Sequence, residues 1–200
     1  MAQCKVISGL TENTSKNLVF DAGAFFKNFD FETDTFESAV TGGKLLGATK
    51  GGGSFVAVPT FREIEIDGMR GALKGAKLLE AWEITMTANL VEVTTETLSL
   101  GLGLSELTDE AEKDYKKITG KMCLKDEDYV ENITWVGNLS GSDEPVIIQI
   151  YNALNTSGLE LAAEDKGEAV IATEFTAHFD MSKPNEVPFA IYYPNQKVGV

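Results

Sequence analysis

Leu78-Leu79-Glu80-Ala81-Trp82-Glu83-Ile84-Thr85-Met86-Thr87-Ala88-Asn89-Leu90 reads as an amphipathic β-strand, and the rest of the chain is organised around it. One face carries Leu78, Trp82, Ile84, Met86, Ala88 and Leu90, broken only by Glu80. The other carries Glu83, Thr85, Thr87 and Asn89. A period of two with one apolar side is the pattern of an antiparallel strand that packs on one face and meets water or a partner on the other. The segment is long against the usual strand of about 5–6 residues. Long strands suit subunits whose sheets extend into neighbours.

Just upstream, Ser54 to Asp67 reads as a second extended segment, with Phe55, Val56, Val58, Phe61, Ile64 and Ile66. Ile64-Glu65-Ile66-Asp67 alternates, and Pro59 marks an edge, a strand start or a bulge. Glycine flanks this segment on both sides. Gly42, Gly43, Gly47, Gly51, Gly52 and Gly53 precede it as a flexible connector, and Gly68 to Gly75, with Arg70 and Lys74, follows it. Residues 1–16 are polar and aperiodic, an N-terminal arm; residues 17–200 read as one domain, with order beginning at Asn17 to Phe20. Phe25, Phe26, Phe29, Phe31 and Phe36 need burial inside the subunit or against a neighbour.

Downstream, Thr94 can cap a helix with Thr97 at its third position and Glu96 in its first turn. That helix is expected to run to about Leu100, with Leu98 and Leu102 inward and Gly101 and Gly103 ending it. Thr108 to Lys117 places acids first and lysines last, which predicts a short surface helix. Strands return at Pro145 to Tyr151 and at Glu168 to Asp180. In the latter, Ala169, Ile171, Phe175, Ala177 and Phe179 face one way and Glu168, Glu174 and His178 the other. Phe189 to Tyr193 is a final short strand, and Asp109 to Asp143 as a whole carries no specific pattern. The expected fold is mainly β, a sandwich or barrel with one flanking helix and long loop and arm segments.

Charge narrows the functions. With 17 basic and 31 acidic residues the net charge is −14. Tight nucleic-acid binding needs clustered lysine and arginine, which are missing here, whereas an acidic surface lets DNA slide past. No apolar run approaches the roughly 20 residues that span a bilayer. Met1 to Leu10 lacks the signal-peptide pattern, so synthesis and retention in a cytoplasm are expected. On that expectation the sequons at Asn13, Asn132, Asn138 and Asn155 carry no meaning, and Cys4 and Cys123 are small, partly buried apolar residues without a disulfide.

Catalytic patterns are missing. The single histidine, His178, sits in an alternating strand with no nucleophile elbow upstream, so a packing or surface role is expected. Gly47-Ala48-Thr49-Lys50-Gly51-Gly52-Gly53-Ser54 has the glycine spacing of a phosphate loop. Gly53 stands where its lysine belongs, however, and a strand follows in place of a helix. Asp126-Glu127-Asp128 with Glu131 lacks the calcium-loop framework and reads as a solvated acidic turn. The expectation is a protein that is not an enzyme and holds no cofactor or metal.

Three segments in fixed order resemble the major tail protein (tail tube protein) of long-tailed phages infecting Gram-positive bacteria. They are Asn17-Leu18-Val19-Phe20-Asp21-Ala22-Gly23-Ala24 continuing to Asp30, then Leu46-Gly47-Ala48-Thr49-Lys50-Gly51-Gly52-Gly53-Ser54-Phe55 running on through Arg62-Glu63-Ile64-Glu65-Ile66-Asp67-Gly68, then Lys74-Gly75-Ala76-Lys77-Leu78-Leu79-Glu80 with Asn89-Leu90-Val91-Glu92-Val93-Thr94. The match covers the first half of the chain. The resemblance implies a β-sandwich with one flanking helix, assembled into hexameric rings that stack as a hollow tube. Strands from six subunits would close an inner barrel, which removes exposed strand edges. It implies a location in the virion tail after synthesis in the bacterial host cytoplasm. It implies contacts with further copies and with tape-measure, tail-terminator and baseplate proteins. DNA would pass through the lumen without specific binding, and no membrane is involved.

On this reading residues 47–75 hold the inter-ring loop, with Gly47, Lys50, Gly51, Gly52, Gly53, Arg70 and Lys74 as its candidate residues. Glu83, Thr85 and Thr87 are the candidate lumen-facing residues. Three alternatives stay open: a capsid decoration or other virion protein, a cytoplasmic ligand-binding barrel, and the tube of a phage-derived injection particle.

Overall fold

The computed structural model describes residues 8–110, 113–163 and 165–195. Among them the chain forms β1 (Val19–Lys27), α1 (Phe36–Thr41), β2 (Thr49–Glu63), β3 (Lys77–Leu90), α2 (Thr95–Leu102), β4 (Ser105–Glu110) and β5 (Tyr115–Gly120). Then follow β6 (Val130–Leu139), β7 (Val146–Asn155), β8 (Glu160–Ala162), β9 (Val170–Thr176) and β10 (Phe189–Tyr192), with 3-10 turns at Thr14–Lys16 and Asp126–Asp128. The fold is mainly β and sandwich-like, as the alternation predicts.

The main sheet is antiparallel throughout and runs in the order β1-β6-β7-β9-β3-β2, with β10 on β7 and β8 on β9, while β4 and β5 pair separately. β7 joins the layers. It pairs with β6 from Val146 to Ala153 and then reaches β9 through Leu154 and Asn155. One layer is β1, β6, β7 and β10; the other is β2, β3, β9 and β8. Between them lie Phe25, Ile133 and Ile150 from the first layer and Ile84, Met86, Leu90, Ile171 and Phe175 from the second, all at most 2% exposed. Each such side chain stabilises the fold by about 1.5–3 kcal/mol through burial.

The outer face of the first layer is covered too. Phe26, Val136 and Ile147 pack with Phe29 and Ala39 beneath the segment that holds α1. Buried Gln149 is satisfied there, donating to the Phe29 carbonyl at 2.8 Å and the Thr134 hydroxyl at 3.0 Å. The second layer has no such cover among the described residues, so its outer face is wet.

Several local expectations change. Thr108 to Lys117 is no helix: β4 and β5 form a hairpin that pairs Asp109 with Lys116 and Thr108 with Lys117. Acids followed by lysines also place opposite charges across antiparallel strands, so the same order serves both structures. The second extended segment begins earlier and ends sooner than Ser54 to Asp67: glycines 51–53 lie inside β2, and the ladder stops at Glu63–Lys77. Ile64 only closes onto the Ala76 carbonyl, and Gly68 at φ 89° turns the chain away.

β9 likewise stops at Thr176, after which Ala177 N–H donates to Ile84 and Phe179 stands 42% exposed instead of inward. Gly101 lies inside α2, where a side chain would meet Leu159 at 2.7 Å; Gly103 at φ 72° makes the cap. Thr94 and Thr97 do cap α2 reciprocally. Phe31 and Phe36 are half exposed, Cys123 is exposed, and Cys4 lies outside the described residues. Asp128 is no freely solvated acid, because Lys121 and the Lys125 amide hold its carboxyl below the usual range. No helix among the described residues is long and apolar enough to cross a membrane.

Candidate functional site

β2 and β3 build the two surfaces on which a role can rest. They pair from Thr49–Leu90 at the root to Glu63–Lys77 near the tip. Beyond Trp82 the pair leaves the core. Trp82 is the last anchor, its ring 5.8 Å from that of Phe189. Past it a bulge sets Thr60–Ala81 next to Phe61–Leu79, so Glu80 is the extra residue. The bulge explains why Glu80 interrupts the apolar face in the sequence. It also continues the apolar side outward: Phe61 and Leu79 pair directly, and each is 52% exposed. Leu78, paired with Arg62, is exposed as well, and Ile66 and Leu73 extend the apolar surface into the connecting loop. Monomeric proteins rarely leave so many large apolar side chains in one projection.

The root of this arm is tightly built. Gly51 and Gly52, at φ 79° and 66°, form a bulge between the Thr49 and Gly53 pairings. At Gly53 a Cβ would sit 2.0 Å from the Thr87 carbonyl oxygen and 2.7 Å from the Phe25 ring. Gly47 lies against Glu92, whose carboxylate accepts from the Ala48 amide at 2.8 Å. Lys50 pairs with Glu168 at 2.9 Å, which holds that carboxyl below its ordinary range. Gly47 to Gly53 are therefore body residues at the root, whereas Arg70 and Lys74 stand exposed at the tip, roughly 40 Å along the strands. The structure does not bring these candidates into one loop. Gly53→Val should lower stability by about 1–3 kcal/mol through overpacking. Gly71→Ala, with open space around it, should stay within about 0.5 kcal/mol. Denaturant midpoints check both.

Glu83, Thr85 and Thr87 do share one face. Their cross-strand neighbours are Val58, Val56 and Ser54 on β2, and Thr176 and Glu174 on β9 opposite Thr85 and Thr87. Glu160 on β8 adjoins through Ala172. Thr87 Oγ1 accepts from the Ser54 amide at 2.9 Å, and the two hydroxyls lie 2.8 Å apart. Among the described residues, Ser54–Val58, Glu83–Asn89 and Ala172–Thr176 place glutamates and hydroxyls on this outer face beside the exposed Val56 and Val58, and no lysine or arginine. β2 ends the strand order, so its outer edge is unpaired among the described residues, and Pro59 on it lacks an N–H.

His178 has a packing role: its Nδ1 lies 3.1 Å from the Asn152 carbonyl and its ring meets Tyr129 edge-on at 5.1 Å. Sequence reading missed a groove beside α1. The signal was the run of aromatic residues from Phe25 to Phe36, not all of which the core takes in. No family model matches the chain, and no curated protein matches it significantly.

Proposed function

We propose that the chain is a structural subunit that self-assembles into stacked hexameric rings, the tail tube of a long-tailed phage, whose channel carries DNA during ejection. The projecting β2–β3 arm carries this reading. It exposes Phe61, Leu78 and Leu79 beyond the last core contact, where no described residue covers them, as expected of a surface that meets another copy. The unpaired edge of β2 supports closure of a ring by strand addition, because a ring removes every such edge. The wet, acidic face with Glu83, Glu174 and Glu160 supports a lumen, because it repels phosphate and does not retain it. The tape-measure, tail-terminator and baseplate proteins would meet this tube at its lumen and ends.

Negative-stain imaging of the purified chain at rising concentration tests the proposal. Rings and tubes of uniform width are expected. A chain that stays monomeric, or stops at trimers, belongs to another role.

A further inference from the structure

The outer surface of the first layer carries a groove of about 960 Å³ between α1, the 142–145 loop and residues 192–195. Its walls are aromatic: Phe31 stacks on Tyr192 at 3.8 Å, and Phe36 stands beside them, about half exposed. Its acids are Asp34, Glu37, Asp143 and Glu144, and no lysine or arginine lines it among the described residues. Asp34 is held by Lys44, while Asp143 and Glu144 are exposed. An apolar floor with an acidic rim fits a segment that is apolar and basic.

The same chain supplies one. Gly68 to Leu79 contains Arg70, Lys74 and Lys77 and no acid, in a protein of net charge −14. Along the arm's shaft Arg62 pairs with Glu80 and Lys77 with Glu63, but Arg70 and Lys74 stand exposed at the tip. Leu73, at 50% exposure, lies between them.

We propose that the arm tip of one copy docks into this groove on a second copy, with Leu73 against the aromatic wall and Arg70 and Lys74 facing Asp143 and Glu144. This rests on the self-assembly reading above. Copies carrying −14 each repel, so a close contact needs a place where the local sign inverts. Tip and groove are that place. Because they are different surfaces of one chain, the contact is head-to-tail, the kind that builds rings or open stacks instead of closed dimers.

Charge reversal tests it on the full chain. Arg70→Glu with Lys74→Glu, and separately Asp143→Lys with Glu144→Lys, should each raise the concentration needed for assembly by tenfold or more, read by light scattering and imaging. All four side chains are exposed, so circular dichroism and melting temperature should not change. The fourfold variant, or an equal mixture of the two double variants, should restore assembly to within about threefold of wild type if the contact is worth the few kcal/mol typical of close interfacial charge pairs. Wild-type chains that never assemble sink the function reading and this contact with it. If wild-type chains assemble but either double variant behaves as wild type, the groove serves a different occupant, and only the docking proposal falls. Failure of the fourfold variant to recover also overturns it.

Discussion

Replacing residues 60–81 with Asn-Gly should leave a folded subunit that no longer assembles at any accessible concentration. The cut is placed where the strands still pair, at Pro59–Trp82, and a two-residue Asn-Gly turn matches strand twist at such a site. Little is lost inside. Ala76 is the only one of the removed residues that is buried, and it belongs to the loop itself. Trp82 and everything below it remain, so the melting temperature should move by only a few degrees. Outside, the loss is large. Phe61, Ile66, Leu73, Leu78 and Leu79 are each about half exposed. Covering what remains exposed contributes roughly 1 kcal/mol per side chain. Association costs about 4–15 kcal/mol in lost freedom, so removing this contribution takes most of the surplus on which the proposed assembly would draw. Sedimentation and imaging read the result. Tubes formed by the shortened chain would falsify the arm's role, and a chain that fails to fold would show that the arm belongs to the core.

How much of this was legible before the structure depends on what each residue had to satisfy. Trp82 to Leu90 was legible because one face meets the core and the other meets water, which is the condition for a clean period of two. β6 was not legible, although it sits in the middle of the first layer. Its burial falls on both faces, between the main core and the second cluster under α1, so Ile133, Thr134, Val136 and Gly137 are all buried without alternation. α1 was missed because six residues hold too little periodicity; its one signal was the Thr35–Ser38 capping box. Gly51 to Gly53 looked like a flexible connector because composition cannot separate freedom from close approach. Gly53 is glycine because Thr87 and Phe25 leave no room.

The candidate surfaces divided the same way. The shared face of Glu83, Thr85 and Thr87 followed from strand parity alone. The separation of Gly47–Gly53 from Arg70 and Lys74 did not, since it depends on where the ladder begins and ends. The groove beside α1 depended on residues more than a hundred positions apart meeting, Phe31 with Tyr192, and no local pattern carries that.

If the face of Glu83, Thr85 and Thr87 lines a channel, Glu83→Lys with Thr85→Lys should leave tubes intact and stop DNA from leaving through them. Glu83 is exposed and Thr85 half-buried on the wet face, away from the core residues Ile84 and Met86, so both lysines can reach water without disturbing packing. The charge change is +2 and +1 per subunit, roughly +18 around a six-membered ring, repeated at every ring of the stack. Wild-type walls repel phosphate weakly and uniformly. The altered walls would bind it, and each neutralised phosphate releases condensed counterions. That mechanism sets a second expectation that a merely distorted tube does not share. About 6–10 phosphate contacts weaken by roughly 10³–10⁵ between 50 and 200 mM salt, so the arrest should ease steeply as salt rises. Infectivity of particles carrying the double variant, and retention of short duplex DNA by purified tubes across a salt series, are the two measurements. Normal infectivity, or DNA retention indifferent to salt, would place this face on the outside of the assembly and send the search for the lumen to another surface of the subunit.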